Sequence, residues 1–144
     1  MAGKGRETRA RIEEAAIRLF AERGVEGTSV RDIAAAVGVT EAALYRHLTS
    51  KDEFVARLFA DRYVALGRQV HAAQEGLAGF AARMRAMVEA CCRLHDRDPA
   101  LFRFLLIVQH RALPSFAVGE PNPGDVIGAV ILDGIREGAV TIAD

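Results

Sequence analysis

Residues 28–51 read TSVRDIAAAVGVTEAALYRHLTSK, two helices joined by a tight turn with a start signal on each. Ser29 with Asp32 three positions later has capping-box spacing, in which a hydroxyl and a carboxylate satisfy the free amides of a helix start. Val30, Ile33, Ala34 and Val37 then recur at the i, i+3, i+4, i+7 spacing of one buried stripe. Gly38 supplies the left-handed backbone that ends a helix without steric cost. Val39 packs beneath the turn and Thr40 caps a second, shorter helix, on which Leu44 and Leu48 share the side facing Val30, Ile33 and Ala34. Ala34 stays small where two crossing helices approach closely. An αα-hairpin inside a helical core uses the same turn, so what the second helix turns outward decides between the two readings.

With Leu44 and Leu48 inward, Glu41, Ala42, Ala43, Tyr45, Arg46 and His47 face solvent or a partner. So polar a face on so short a helix gains little from packing, and it suits a DNA major groove, which admits one helix and is read near that helix's N-terminus. Arg46 has the fork for guanine, and Ala42 and Ala43 are small enough to touch a thymine methyl. Glu41 either accepts from cytosine N4 or weakens phosphate affinity. Thr28, Thr40, Tyr45, His47 and Lys51 are expected at phosphate oxygens, which fix register without reading sequence. Ser29 and Arg31 complete the expected DNA-contacting set. Ser50 to Glu53 form a second capping box, whose helix amides together with Lys51 make a further phosphate site.

Residues 8–59 resemble the DNA-binding domain of the tetracycline-repressor (TetR) family of bacterial transcriptional regulators. The resemblance rests on Ile12, Ala15, Ala16, Leu19 and Phe20, then Ala21-Glu22-Arg23-Gly24, then Gly27 through Ala34. It continues through Gly38-Val39-Thr40 and Leu44 to Leu48, and closes on Ser50-Lys51. Glu41 departs from the basic or neutral residue common in relatives, and Leu48 replaces a frequent phenylalanine. The resemblance implies an all-α protein. Residues 1–50 are then expected to form an arm and a three-helix helix-turn-helix head, and 51–144 a helical effector-binding and dimerisation body. It also implies a homodimer on a palindromic double-stranded operator, and repression relieved by a small apolar or amphipathic effector. Two further long helices of the family would follow a segment like Asp125–Glu137, so the body is expected to be incomplete or to pair by another surface.

The 144 residues carry 19 basic and 19 acidic side chains, so bulk charge does not announce a nucleic-acid binder. The distribution is uneven: Lys4, Arg6, Arg9 and Arg11 stand against Glu7 alone. That arm is expected to lie on phosphates or enter a minor groove, or to be a solubilising tail. No apolar run approaches a membrane span and no secretory signal is present, so a cytoplasmic protein is expected.

Helices are expected over Arg9–Arg23, Lys51–Gln74, Leu77–His95, from Asp98 and Pro99 onward, and over Asp125–Glu137. Leu77, Phe80, Met84, Met87, Cys91 and Leu94 alternate by three and four residues, a seam that must be buried. Leu101 to Val108 is apolar nearly all round and is expected at the centre. In the last helix Val126, Ile127, Val130, Ile131 and Ile135 are expected inward. Phe59, Tyr63, Leu66, Phe80, Met84, Met87, Cys91, Phe102 and Leu105 are the candidate effector lining, being flexible or aromatic; ordinary core packing is the alternative for each.

Cys91 and His95 at i, i+4 and the vicinal Cys91-Cys92 pair raise a catalytic or thiol-sensing reading. With no phosphate loop, nucleophile elbow or metal-binding motif, no catalytic residue, metal ligand or cofactor is assigned. The rival to a ligand-released repressor is a DNA-binding protein without ligand control, architectural or thiol-responsive.

Overall fold

The computed structural model describes residues 2–112 and 122–141, and among these it contains seven helices and no strand. They are α1 (Ala2–Arg23), α2 (Val30–Val37), α3 (Glu41–Leu44), α4 (Lys51–Ala73), α5 (Phe80–Arg97), α6 (Pro99–Ala112) and α7 (Pro123–Arg136). Two compact units emerge. The first holds α1 to α3, α4 as far as Ala60, and α6; the second holds α4 from Asp61, α5 and α7. The division therefore differs from a boundary at residue 50, because the first turns of α4 and all of α6 share the core of the head.

In the first unit α1 packs against both α2 and α6, and α2 against α3. Ile12, Ala16 and Phe20 of α1, Ile33 and Ala34 of α2, and Leu44 of α3 are buried with Phe54, Leu58 and Phe59 of α4. Phe104 of α6 stacks on Phe20 with ring centroids 5.9 Å apart. Each such ring contributes about 1.5–3 kcal/mol through loss of its apolar surface to water. Asp98 caps α6 as its spacing predicts, accepting the Leu101 amide at 2.9 Å. The helix is nonetheless one-sided. Phe104, Leu105 and Val108 are buried, whereas Leu106 and Ile107 remain 48% and 40% exposed. The expectation of a helix enclosed on all sides is corrected accordingly.

In the second unit α5 packs on α7. The two helices approach so closely that a Cβ added to Gly134 would fall 2.5 Å from the Phe80 ring. Arg83 ties the unit together, donating to Gln74 at 2.8 Å and to Asp133 at 2.9 Å. Glu137 accepts the Phe80 amide at 3.2 Å. Gly76 and Gly79 both hold positive φ, and α5 begins at Phe80, leaving Leu77 largely exposed. A helix start at Leu77 is thus moved three residues on. The buried face of α7 is Val126, Val130 and Gly134 with Pro123; Ile127 and Ile135 are half-buried and Ile131 is 37% exposed, against the expected inward set.

Candidate nucleic-acid interface

The head is held in register by caps that the sequence spells out. Ser29 accepts the Asp32 amide at 3.1 Å, and Asp32 returns a carboxylate to the Ser29 amide at 2.8 Å. The Ser29 hydroxyl, which donates to the Asp32 carboxylate, and the Ser29 amide hold that carboxyl below its usual 3.8. Gly38 has φ 72, and the Val39 amide reaches back to the Ala34 carbonyl at 3.0 Å, closing α2. Thr40 then accepts the Ala43 amide at 3.2 Å. After Leu44 the backbone tightens: the Arg46 and His47 amides bond to carbonyls only three residues earlier, at 3.3 and 2.8 Å. The recognition element is one helical turn prolonged by a tighter turn.

Leu44 and Leu48 are buried as their spacing predicts, and that burial aims the rest outward. Ser29, Arg31, Thr40, Glu41, Ala42, Tyr45 and Arg46 are exposed, while Ala43 and His47 are half-buried. Tyr45 is 51% exposed, far more than a core aromatic. Glu41, Ala42, Tyr45 and Arg46 are thus open to a partner, and Ala43 and His47 partly so.

Two expected phosphate contacts point elsewhere. Thr28 is 1% exposed, and its hydroxyl donates to the Gly24 carbonyl at 2.9 Å and lies 3.3 Å from that of Leu19. It plugs the turn after α1. The Lys51 ammonium donates to the Val25 carbonyl at 3.0 Å and to the Thr28 carbonyl at 3.3 Å, fastening the start of α4 to that same turn. The basic arm is also corrected. The helix runs from Ala2, so Arg6, Arg9 and Arg11 ride on α1; Arg9 pairs with Glu13 and Arg11 donates to the Val37 carbonyl at 3.1 Å. Arg11 and Arg57, which donates to the His47 carbonyl at 3.4 Å, carry no local sequence signal for these roles. Each meets a partner ten or more residues away.

Residues 12–58 match the model of the bacterial regulatory proteins of the tetR family. Over that segment the chain is similar to the tetR family. It is similar to the transcriptional repressor KstR2 of Mycobacterium tuberculosis, with 43% identity over 58 residues, 40% of this chain and 29% of that protein. The chain thus matches under a third of the length of that curated relative. The solved structure of KstR2, a ketosteroid transcriptional regulator, is 26% identical with a TM-score of 0.70 over 90% of this chain and 69% of that one. A γ-butyrolactone receptor gives 25% identity and a TM-score of 0.76 over 93% of this chain and 71% of that one. AibR, solved with isovaleryl coenzyme A and operator DNA, gives 25% and 0.72 over 95% and 77%.

The effector lining expected from the family resemblance divides between the units. Phe59, Phe102 and Leu105 fall in the first; Tyr63, Leu66, Phe80, Met84, Met87 and Cys91 fall in the second. Phe80 spends its ring on Gly134, and the Tyr63 oxygen accepts from the Gly124 amide at the start of α7. Burial, which outweighs that bond, pushes the Tyr63 hydroxyl up. Among the described residues, the clefts on the second unit include two. One, of about 410 Å³, is lined by Gln69, Ala72, Ala73, Ala90, Arg93, Leu94 and Arg97. The other, of about 320 Å³, is lined by His71, Gln74, Glu75, Leu77, Arg83, Val126 and Ala129. None of the nine candidates lines either cleft.

Burial also pushes the Cys91 thiol up, with Cys92 adding to it, which lowers the thiolate fraction that thiol sensing needs. His95 turns to Asp96 at 3.3 Å. No helix among the described residues is long and apolar enough to cross a membrane, and no group of three or more His, Cys, Asp or Glu side chains there is arranged to hold a metal.

Proposed function

We propose that this chain is a sequence-specific DNA-binding transcriptional repressor of the TetR type. It acts as a homodimer on a palindromic operator and leaves DNA when a small apolar or amphipathic effector occupies the helical body. The observation that carries the reading is the exposed Glu41–Arg46 surface on a turn anchored by buried Leu44 and capped by Thr40. A helical turn of this polarity, held rigidly by its own core, is what a major groove accommodates. Arg46 makes the guanine contact; Ala42 and Ala43 allow close approach; Thr40, Tyr45 and His47 reach phosphates, with Ser29 and Arg31 beside them. Lys51 and Thr28 serve by shaping the turn that presents them.

Effector control is supported by the relatives, among them a γ-butyrolactone receptor and a regulator solved with isovaleryl coenzyme A and operator DNA. An effector releases DNA only if it binds the non-DNA conformation better, and α4, continuous from Lys51 to Ala73, is the covalent link through which such a preference acts.

Selection of bound sequences from a random duplex library, repeated with Arg46→Ala, tests the reading. Wild type should enrich a palindrome, and Arg46→Ala should lose preference at one position per half-site, about 1–3 kcal/mol of discrimination. A wild type that is folded and enriches nothing refutes sequence-specific binding. Unchanged preference in Arg46→Ala refutes the assigned docking.

A further inference from the structure

Arg57 stands in the second turn of α4, outside the helix-turn-helix, and its side chain does not behave as a free surface cation. One terminal nitrogen donates to the His47 carbonyl at 3.4 Å, and the guanidinium lies over the Phe54 ring, 5.7 Å from its centroid. Phe54 is buried, so the surface on which the guanidinium rests is fixed. The carbonyl it reaches closes the turn that carries Arg46. Carbonyls at the end of a helical segment lack an intrahelical donor, and a basic side chain is a usual way to satisfy them. At the other end of the reader, Lys51 of the same helix holds the Val25 and Thr28 carbonyls.

We propose that Arg57 is a positioning residue for base recognition: by holding the His47 carbonyl it sets the path of residues 45–48, and so the placement of Arg46 against a base edge, without itself neutralising a phosphate. This rests on the DNA-binding reading above. It adds a specificity determinant outside the residues that face the groove. The physical requirement is tight, because a bidentate contact tolerates displacements of only about 0.5 Å before it is lost. Thr40 holds the turn at its first end and buried Leu44 and Leu48 hold its inner side, while the guanidinium holds the carbonyl on its last, outward stretch.

The guanidinium's planarity is part of the argument. A lysine at 57 keeps the charge but loses the guanidinium's placement over the Phe54 ring and its directional fork. A phosphate contact would survive that exchange, whereas a positioning contact would not survive it intact.

The test compares wild type, Arg57→Met and Arg57→Lys on the palindrome selected by wild type and on a scrambled duplex of the same composition, each over a range of salt. Amide hydrogen exchange is recorded on the free proteins. In Arg57→Met the preference for the palindrome should fall about tenfold, equivalent to about 1.4 kcal/mol. Affinity for the scrambled duplex and the salt slope should hold, and exchange should quicken at residues 45–48 but not at 25–34. Arg57→Lys should fall between the two; if Arg57→Met does not fold, that intermediate loss of preference supports the proposal and full retention overturns it. Parallel weakening on both duplexes, with the salt slope reduced by about 0.9, makes Arg57 a phosphate contact and overturns it. A lower melting temperature with unchanged preference and unchanged exchange at 45–48 leaves only a packing role and overturns it too. If wild type enriches no sequence, the DNA-binding reading falls and takes this proposal with it. The exchange pattern then separates a missing DNA function from a missing clasp.

Discussion

Replacing Thr28 by valine separates the two roles open to this residue, a phosphate contact or a buried plug. The side chain is 1% exposed, and its hydroxyl serves the Gly24 carbonyl at 2.9 Å. Valine keeps the shape and removes the donor. Losing one neutral hydrogen bond and leaving a buried carbonyl without its donor destabilises by about 1–3 kcal/mol. The added methyl returns at most about 0.8 kcal/mol of apolar burial. A net loss of about 1–2 kcal/mol remains, which for a chain of this size lowers the melting temperature by roughly 3–8 °C. Thermal unfolding followed by circular dichroism measures it, with Thr28→Ser as a control that keeps the hydroxyl and should lose less. DNA affinity measured at 10 °C, where both variants are folded, should stay within about twofold of wild type, a change of about 0.4 kcal/mol. A Thr28→Val protein that melts with wild type yet binds DNA tenfold more weakly would refute the buried-plug reasoning.

Two further outcomes follow from the same geometry. Gly134→Ala should destabilise the second unit by about 1–3 kcal/mol through overpacking against Phe80, read by urea denaturation; an unchanged midpoint would mean that the ring moves aside freely. Asp133, which accepts from Arg83 and lies beside Arg136, has its carboxyl held below the usual 3.8. A carboxyl lowered on folding stabilises above its unfolded pKa and loses that contribution as pH falls through the folded value. Melting temperature should therefore fall more steeply in wild type than in Asp133→Asn as pH drops below about 4, and parallel curves would remove Asp133 from the account.

How far the sequence reached is clearest at α2 and α3. Ser29, Asp32, Gly38 and Thr40 act through bonds to backbone within five residues, so their spacing alone specified the helix-turn-helix, and Leu44 and Leu48 told which side faces inward. Asp98 capped α6 for the same reason. Partners distant in the chain are a different matter. Thr28 and Lys51 have the composition of phosphate contacts, but only the folded turn brings the Gly24, Val25 and Thr28 carbonyls to them. Arg11 and Arg57 meet Val37 and His47 across gaps that no local periodicity encodes.

The same limit governs the apolar residues. Periodicity says that a helix has a face to bury; it does not say how much of that face a neighbour covers. Leu106, Ile107 and Ile131 have the side chains of a core but not its position, because α6 and α7 are each covered along one stripe. Sequence by itself determined the local elements and the outward chemistry of the reader, since hydrogen bonds to near neighbours set both. Tertiary structure alone decided which cations remain for a ligand and which are bound to backbone carbonyls, since a charge meets whichever acceptor the fold brings within 3–3.5 Å.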